Sequence, residues 1–354
     1  MHYRSFKRCC NESNEITLIQ LRRDYTLDKF VILPETKKSL TGDKCPYCPG
    51  NELMTGTSIL SLVIKDGMLK KLSDSEENVI SDWSVRVFTS NSPVVNTSVG
   101  NHYTDKPLYS EPAYGYHYIV VATPNHGEDF ANLSVDQWSN VLLVLQNQIG
   151  NLYSQKSVTY VSIFVNSGDL SGAHESHSHF NLVTLSTIPP TIESEAKASN
   201  HYLNENGNCP ACNIITAESE GPRQILVTDH YIALSPWAST YPHEFWIYPK
   251  RHITSFSKIS QREITDLALI LRSTLGGMYR ILNKPSYNIV FHLSPEKKNS
   301  RQIHWHIEVY PQLRSWSGLE RGFGIFVNDI SPESSTATLG PECRKEFANL
   351  NGIT

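Results

Sequence analysis

Apolar and polar positions change period along this chain in an order that occurs twice. "YHYIVVATPNH" reads as a short strand-like run closing on His126. "LSVDQWSNVLLVLQNQIGNLY" follows and predicts a long helix, with Ser134 and Gln137 spaced as a capping box. "YVSIFVNSG" returns to a strand pattern, and "HSHFNLV" continues it with histidines at alternate positions. The second occurrence runs "HEFWIYPKRH" to His252, then "ISQREITDLALILRSTLGGMYRIL" with Ser260 and Glu263 as the box, then "YNIVFHLSP" and "HWHIEVY".

The spacing is kept as well as the order. His252 follows His126, and Ser260 follows Ser134, by one and the same interval, while His304 and His306 follow His177 and His179 by one residue more. That is an internal duplication. Each half predicts an antiparallel sheet with one long helix on it, an α+β unit. "STIPPTIESEAKASN" has the prolines and small polar residues of a connection, which divides the chain into 1–190 and 191–354. The first half is the longer, with its extra residues expected around "KLSDSEENVISDWSVRVF".

Composition narrows the class of function. A chain of 354 residues with a formal charge of −4 can bury substantial cores, and it lacks the long basic block that non-specific nucleic-acid or membrane binding needs. Neither a run of about 18 apolar residues nor a basic-then-apolar start is present, so the expected location is the cytoplasm. Seven cysteines, unevenly placed, do not make a disulfide framework at this length.

Four of those cysteines form two CxxC pairs, Cys45 with Cys48 in "CPYCPGNE" and Cys209 with Cys212 in "NCPACN". In a reducing compartment such pairs read as zinc half-sites or redox motifs. A closed zinc site takes four nitrogen or sulfur ligands. One half offers Cys45, Cys48, His126 and one histidine of "HSH"; the other offers Cys209, Cys212, His252 and one of "HWH". A single strand-borne histidine pair is commonly just hydrogen-bonded surface; recurrence behind matched CxxC pairs reverses that reading. "HESH" is not a zinc-protease motif, because its spacing does not return the second histidine to one helical face.

In a strand, residues two apart share a face, so His177, His179 and Asn181 project together, as do His304, His306 and Glu308, with Trp305, Ile307 and Val309 toward the core. One imidazole per half is left over from metal binding. If it attacks a phosphate, a neighbouring carboxylate repels the substrate and a carboxamide donates to it. Asn181 against Glu308 therefore makes the first half the candidate catalyst. The glycines of "NSGDLSGAHES" can bring backbone N–H groups close to phosphate oxygens.

In their order, "LRRDYTLDKFVILPE", "CPYCPGNE", "WSVRVF", "AYGYHYIVVATPNH", "NSGDLSGAHESHSHFN", "CPACN", "YPHEFWIYPKRH", "QIHWHIEVYP" and "GLERGFGIFVNDISPE" resemble the galactose-1-phosphate uridylyltransferase family. That family is a branch of the histidine-triad superfamily that includes ADP-glucose phosphorylase and diadenosine-tetraphosphate phosphorylases. The resemblance implies two tandem histidine-triad-like halves and a homodimer whose sites borrow residues across the interface. It places a first zinc on Cys45, Cys48, His126 and His177, and a second, found in the phosphorylase-like members, on Cys209, Cys212, His252 and His304. It makes His179 the covalent nucleophile, Asn166 a phosphate contact, and Glu320 a residue near the sugar hydroxyls. Asn181, His174, Ser176, Lys37 and Asn91 are the other residues expected to serve catalysis or touch substrate. The chain departs from the family pattern in several places. Ser178 stands for proline and Asn181 for glutamine in His-Pro-His-x-Gln, His174 for a serine, Lys37 and Lys38 for an arginine-rich turn, and Ser90 for an asparagine that here is Asn91.

The function this implies is a zinc nucleotidyltransferase working by ping-pong transfer through nucleotidyl-His179, with a nucleotide sugar and a sugar 1-phosphate as partners. UMP transfer from UDP-glucose to a hexose 1-phosphate is the leading expectation. A phosphorylase moving AMP from ADP-glucose or a dinucleoside polyphosphate to phosphate is the alternative, and a non-catalytic nucleotide-binding zinc protein is the third.

Overall fold

A computed structural model describes residues 19–34, 44–75, 77–98 and 103–353. In the first half, β1 (Gln20–Arg23), β2 (Phe30–Leu33), β3 (Ser58–Lys65), β4 (Met68–Leu72), β5 (Trp83–Thr89), β6 (Ser110–Pro112) and β7 (His117–Val121) lead to helix α1 (Val135–Ser154), then β8 (Tyr160–Ser167) and β9 (His179–Leu185). The second half runs α2 (Pro190–Asn206), α3 (Pro210–Glu218), β10 (Gln224–Val227), β11 (Tyr231–Leu234), β12 (Phe245–Pro249), α4 (Gln261–Ile281), β13 (Tyr287–His292) and β14 (His306–Pro311). Helices α5 (Gly318–Phe323) and α6 (Pro332–Leu350) close the chain. The α+β class expected from the pattern is what the structure has, with each segment of the duplicated series falling on its element.

The two half-sheets are not separate. They join edge to edge into one sheet of 11 strands in the order β10-β11-β12-β14-β13-β8-β9-β7-β5-β3-β4, with the seam formed antiparallel by β8 and β13 from Tyr287 opposite Ser167 to Phe291 opposite Ile163. Each half thus covers the strand edge that the other would leave open. β1, β2 and β6 form a second, three-stranded sheet.

One face of the large sheet is the core. Phe180 and Leu182 of β9, Val161, Ile163 and Val165 of β8, and Trp305, Ile307 and Val309 beside and along β14 lie in one buried cluster with α1 and α4. The side chain of Gln146 in α1 donates to the Ile259 carbonyl ahead of α4 at 2.8 Å. Helix α6 lies against α4, where Gly277 permits the approach: a Cβ there would stand 2.7 Å from the Cys343 backbone nitrogen. The other face of the sheet carries His179 and His306, which alternate with those core residues.

Three local expectations change. The stretch read as a connection is mostly helix α2, with Pro190 in its first turn, where a missing N–H is harmless, and with Ile192 and Ala196 buried against Tyr160 and Ile303. The extra length of the first half is split between the β4 hairpin and the segment that carries β6. The first capping box is half made: the Ser134 hydroxyl accepts from the Gln137 amide, but the Gln137 side chain turns away to the carbonyls of Ser84 and Ala122.

The second box is complete, and Glu263 in it also takes Arg251 at 3.1 Å. The Arg251 hydrogen bond holds the Glu263 carboxyl down at about 2, against an ordinary 4.5. A depressed carboxyl stabilises the fold above its unfolded value, and this contribution is lost as pH falls from about 4.5 toward 2. Glu263→Gln is therefore expected to lower stability at neutral pH and to flatten the acid limb of the stability profile between those values, as measured by denaturant unfolding at stepped pH. No helix among the described residues is long and apolar enough to cross a membrane.

Candidate active site and metal centres

His179 is the first residue of β9 and faces away from the core. Register places Val121 of β7 opposite His179, and Ile119 opposite Asn181, with Phe164 of β8 on the other side of Asn181. These strands floor a cavity of about 520 Å³ whose lining includes His179, Asn181, Asn166, His174, Ser90 and Asn91. Strand alternation puts His179 and Asn181 on one face and the family resemblance adds Asn166, His174 and Asn91; here they meet in one space.

The His179 imidazole is oriented by its own chain. Its Nδ1 lies 2.7 Å from the His177 carbonyl, so Nδ1–H donates there and the lone pair sits on Nε2. Burial pushes the ring down to about 4, which keeps it neutral and nucleophilic at pH 7. Tyr47, between the two cysteines of the first pair, packs edge-on at 5.1 Å.

Two carboxamides line the same cavity as the ring. Asn181 Oδ1 lies 3.1 Å from His117 Nε2. Asn166 Oδ1 accepts from Asn288 Nδ2 at 2.8 Å, across the seam between halves, and Asn288 is held in turn by Gln312 at 2.8 Å. Tyr47, His117 and Asn288 were not singled out from sequence. A tyrosine inside CxxC and a histidine at a strand start are visible as residues, but their direction is a tertiary fact.

Some expected site residues lie elsewhere. Ser176 sits on the metal side, its Oγ 3.5 Å from His126 Nε2, and does not line the cavity. Glu320 is buried as the closing carboxylate of the α5 capping box and pairs with Arg314 at 2.7 Å; it is not among the cavity residues of this chain. Asn91 lines the cavity while its amide donates to the Met54 carbonyl at 2.8 Å. Lys37 and Lys38 lie outside the described residues.

Beside the cavity, Cys45, Cys48, His126 and His177 bring four ligand atoms within 4.8 Å of one another, and Cys209, Cys212, His252 and His304 repeat the arrangement in the second half. Sulfur to Nδ1 distances are 3.4 to 3.7 Å in the first group and 3.5 to 3.9 Å in the second. A tetrahedral zinc at its usual bond lengths spaces sulfur and nitrogen by about 3.6 Å, so both groups fit. The second ring nitrogen of His177 meets the Thr123 carbonyl at 2.7 Å, and that of His304 meets the Pro249 carbonyl at 3.0 Å. Each bond fixes the tautomer that turns the Nδ1 lone pair toward the sulfurs. Burial raises the Cys45 and Cys212 thiols to about 11, so their thiolate forms need a cation beside them.

In the second half the counterpart side chains bind one another. His306, the counterpart of His179, has its Nε2 on Glu308 at 3.1 Å, and Tyr248 stacks on its ring at 4.7 Å. His292 joins Glu195 at 2.9 Å and Glu308 at 3.2 Å. Burial alone would depress His292, but the hydrogen bond to Glu195 and the charge of Glu308 raise it above its ordinary value. Glu195, His292 and His306 also stand close enough together to hold an ion; as they stand, their polar atoms satisfy one another.

Residues 79–189 match the family model for the N-terminal domain of galactose-1-phosphate uridyl transferase. ADP-glucose phosphorylase of Arabidopsis thaliana is 27% identical over 335 residues, covering 89% of this chain and 90% of the relative. Galactose-1-phosphate uridylyltransferase of Thermotoga maritima is 26% identical over 242 residues, covering 66% and 76%. The crystal structure of the Arabidopsis ADP-glucose phosphorylase with bound ADP-glucose superposes with a TM-score of 0.72 at 26% identity, over 90% of this chain and 97% of that one. A solved uridylyltransferase shares the fold at a TM-score of 0.78 and 24% identity, over 92% and 99%. The sheet continuous across both halves, with a Cys₂His₂ group in each, is thus the architecture this chain shares with those uridylyltransferase and ADP-glucose phosphorylase structures. Over residues 79–189 the chain is similar to the N-terminal domain of galactose-1-phosphate uridyl transferases, and along most of its length to ADP-glucose phosphorylase.

Proposed function

We propose that this protein transfers a nucleoside monophosphate from a nucleotide sugar to a phosphate acceptor through a covalent nucleotidyl-His179. The observation that carries the reading is a buried, neutral imidazole whose Nδ1–H is held by a backbone carbonyl, in a cavity of about 520 Å³ that it shares with two hydrogen-bonded carboxamides.

In the first step Nε2 attacks the α-phosphorus, an N–P bond forms, and the P–O bond to the departing sugar phosphate breaks. The ring gains positive charge as it does so, and the His177 carbonyl on Nδ1–H stabilises it. Asn181, Asn166 and His174 supply donors to the phosphoryl oxygens. In the second step the acceptor phosphate attacks, the N–P bond breaks, and the imidazole returns neutral. Zinc on the two Cys₂His₂ groups would be structural, and the first would hold the strand entry that carries His179.

Two substrate readings divide on the base. AMP transfer from ADP-glucose to phosphate is supported by similarity to ADP-glucose phosphorylase along nearly the whole chain, and we favour it. UMP transfer from UDP-glucose to a hexose 1-phosphate is supported by the family match and the Thermotoga relative. Incubation with each nucleotide sugar alone, labelled in the nucleotide, followed by mass spectrometry of the denatured protein, separates them. An adduct from ADP-glucose discharged by phosphate supports the first, an adduct from UDP-glucose discharged by a hexose 1-phosphate the second, and no adduct from any nucleotide sugar sinks both.

Metal analysis of the purified chain is expected to return two zinc ions, with Zn–S of about 2.3 Å by X-ray absorption. One zinc, with Cys209 and Cys212 open to thiol reagents in the native protein, would remove the second site. We further propose a homodimer, whose interface would cover exposed apolar side chains at the end of α5 and just after it, such as Phe323, Ile325 and Val327. Sedimentation at the mass of one chain would overturn it.

A further inference from the structure

Asn181 has a problem that position alone does not solve. Its carboxamide has two ends of opposite sense, an oxygen that repels phosphate and an NH₂ that binds it, and a half-turn about the last side-chain bond exchanges them. Something must select one orientation.

His117 does this. It opens β7 on the face shared with Ile119 and Val121 and is buried. Because Val183 of β9 is its direct partner and Asn181 is that of Ile119, His117 lies diagonal to Asn181 across the strand pair, within reach of a long side chain. Its Nδ1 accepts the backbone N–H of Val94 at 3.3 Å, and its Nε2 is 3.1 Å from Asn181 Oδ1. A nitrogen that accepts a hydrogen bond carries no proton, and a neutral imidazole has one proton, so it resides on Nε2. The Nε2–H therefore meets the Asn181 oxygen. The flipped carboxamide would set NH₂ against N–H, donor to donor, and turn its oxygen toward the phosphate.

We propose that His117 is a positioning residue which, fixed at Nδ1 by the Val94 amide, turns the Asn181 carboxamide so that its NH₂ faces the phosphoryl group beside His179. This rests on the nucleotidyl-transfer reading of the cavity. It goes beyond that reading by assigning a residue on another strand, which does not itself touch the reacting atoms, to the orientation of one that does.

Two measurements test it. ¹⁵N-histidine NMR of the zinc-loaded full chain, with His117 assigned by its loss in His117→Gln, is expected to show the Nε2–H tautomer; an Nδ1–H tautomer overturns the proposal whatever the activity. Single-turnover adduct formation is expected to slow by about 10- to 100-fold in His117→Leu, with KM little changed and zinc content intact. His117→Gln, whose side-chain NH₂ reaches toward the same oxygen, should recover most of that rate. In an Asn181→Ala background His117→Leu should cost nothing further, since it acts through a group already removed. Losses that multiply in the double variant overturn the proposal and leave His117 with a structural role. If the wild-type chain forms no adduct with any nucleotide sugar, the transfer reading falls, and the tautomer alone decides the orientation of Asn181.

Discussion

His179→Ala is expected to abolish the nucleotidyl adduct and to lower turnover by on the order of 10⁴-fold or more, while zinc content and thermal unfolding stay close to wild type. In the proposed transfer the imidazole supplies the nitrogen of the N–P bond, so no neighbour can replace it. Its removal leaves the Cys45, Cys48, His126 and His177 group whole and the core face of β9 packed by Phe180 and Leu182. The measurement is intact mass after incubation with nucleotide sugar, with the adduct acid-labile and confined to the peptide bearing "HSHFN". His306→Ala is the paired control. Its ring is already occupied by Glu308 and stacked under Tyr248, so adduct formation should persist although the buried network of Glu195, His292 and Glu308 loses a member. An adduct on the "HWHIE" peptide would assign the chemistry to the other half.

His177→Ala or Cys45→Ser should produce the opposite pattern, a loss of one zinc with a large loss of stability. In His177→Ala the Cys45 thiol, which burial has pushed up to about 11, stays behind in a group built to face a cation, and in either variant the loop bearing both cysteines loses its tie to the residues that lead into β9. Loss of a structural metal belongs with the severe mechanisms of destabilisation, more than about 4 kcal/mol. For a half of this size that is a fall in midpoint of about 10 °C. Adduct formation should fail with it, because the His177 carbonyl orients His179. His304→Ala is the comparison: it should lose the other zinc and keep the adduct. Retained zinc stoichiometry in His177→Ala would contradict the ligand set.

The duplicated series was legible in the sequence because each piece of it is local. Helix period, capping serines at 134 and 260, and alternation along the two His-x-His strands follow from residue identity and a repeat of 3.6 or 2, and the structure places Trp305, Ile307 and Val309 in the core as alternation requires. The Cys and His residue types likewise announced the two Cys₂His₂ groups, which the structure brings together in a form that could hold a metal. Side-chain direction in loops and in the first turn of a short helix follows no such period: Ser176 turns to His126, and Glu320 closes the cap of α5.

Partner choice between strands was outside the sequence altogether. Nothing in "YVSIFVNSG" or "YNIVFHLSP" says that these two edges pair, yet that pairing sets Asn288 on Asn166. The diagonal of β7 and β9 sets His117 on Asn181 in the same way, and the approach of α2 sets Glu195 on His292. Each of these contacts joins residues far apart in the chain. Their energies depend on register and on the burial of both partners at once, so only the folded sheet, in which those registers are fixed together, determines which polar group orients which.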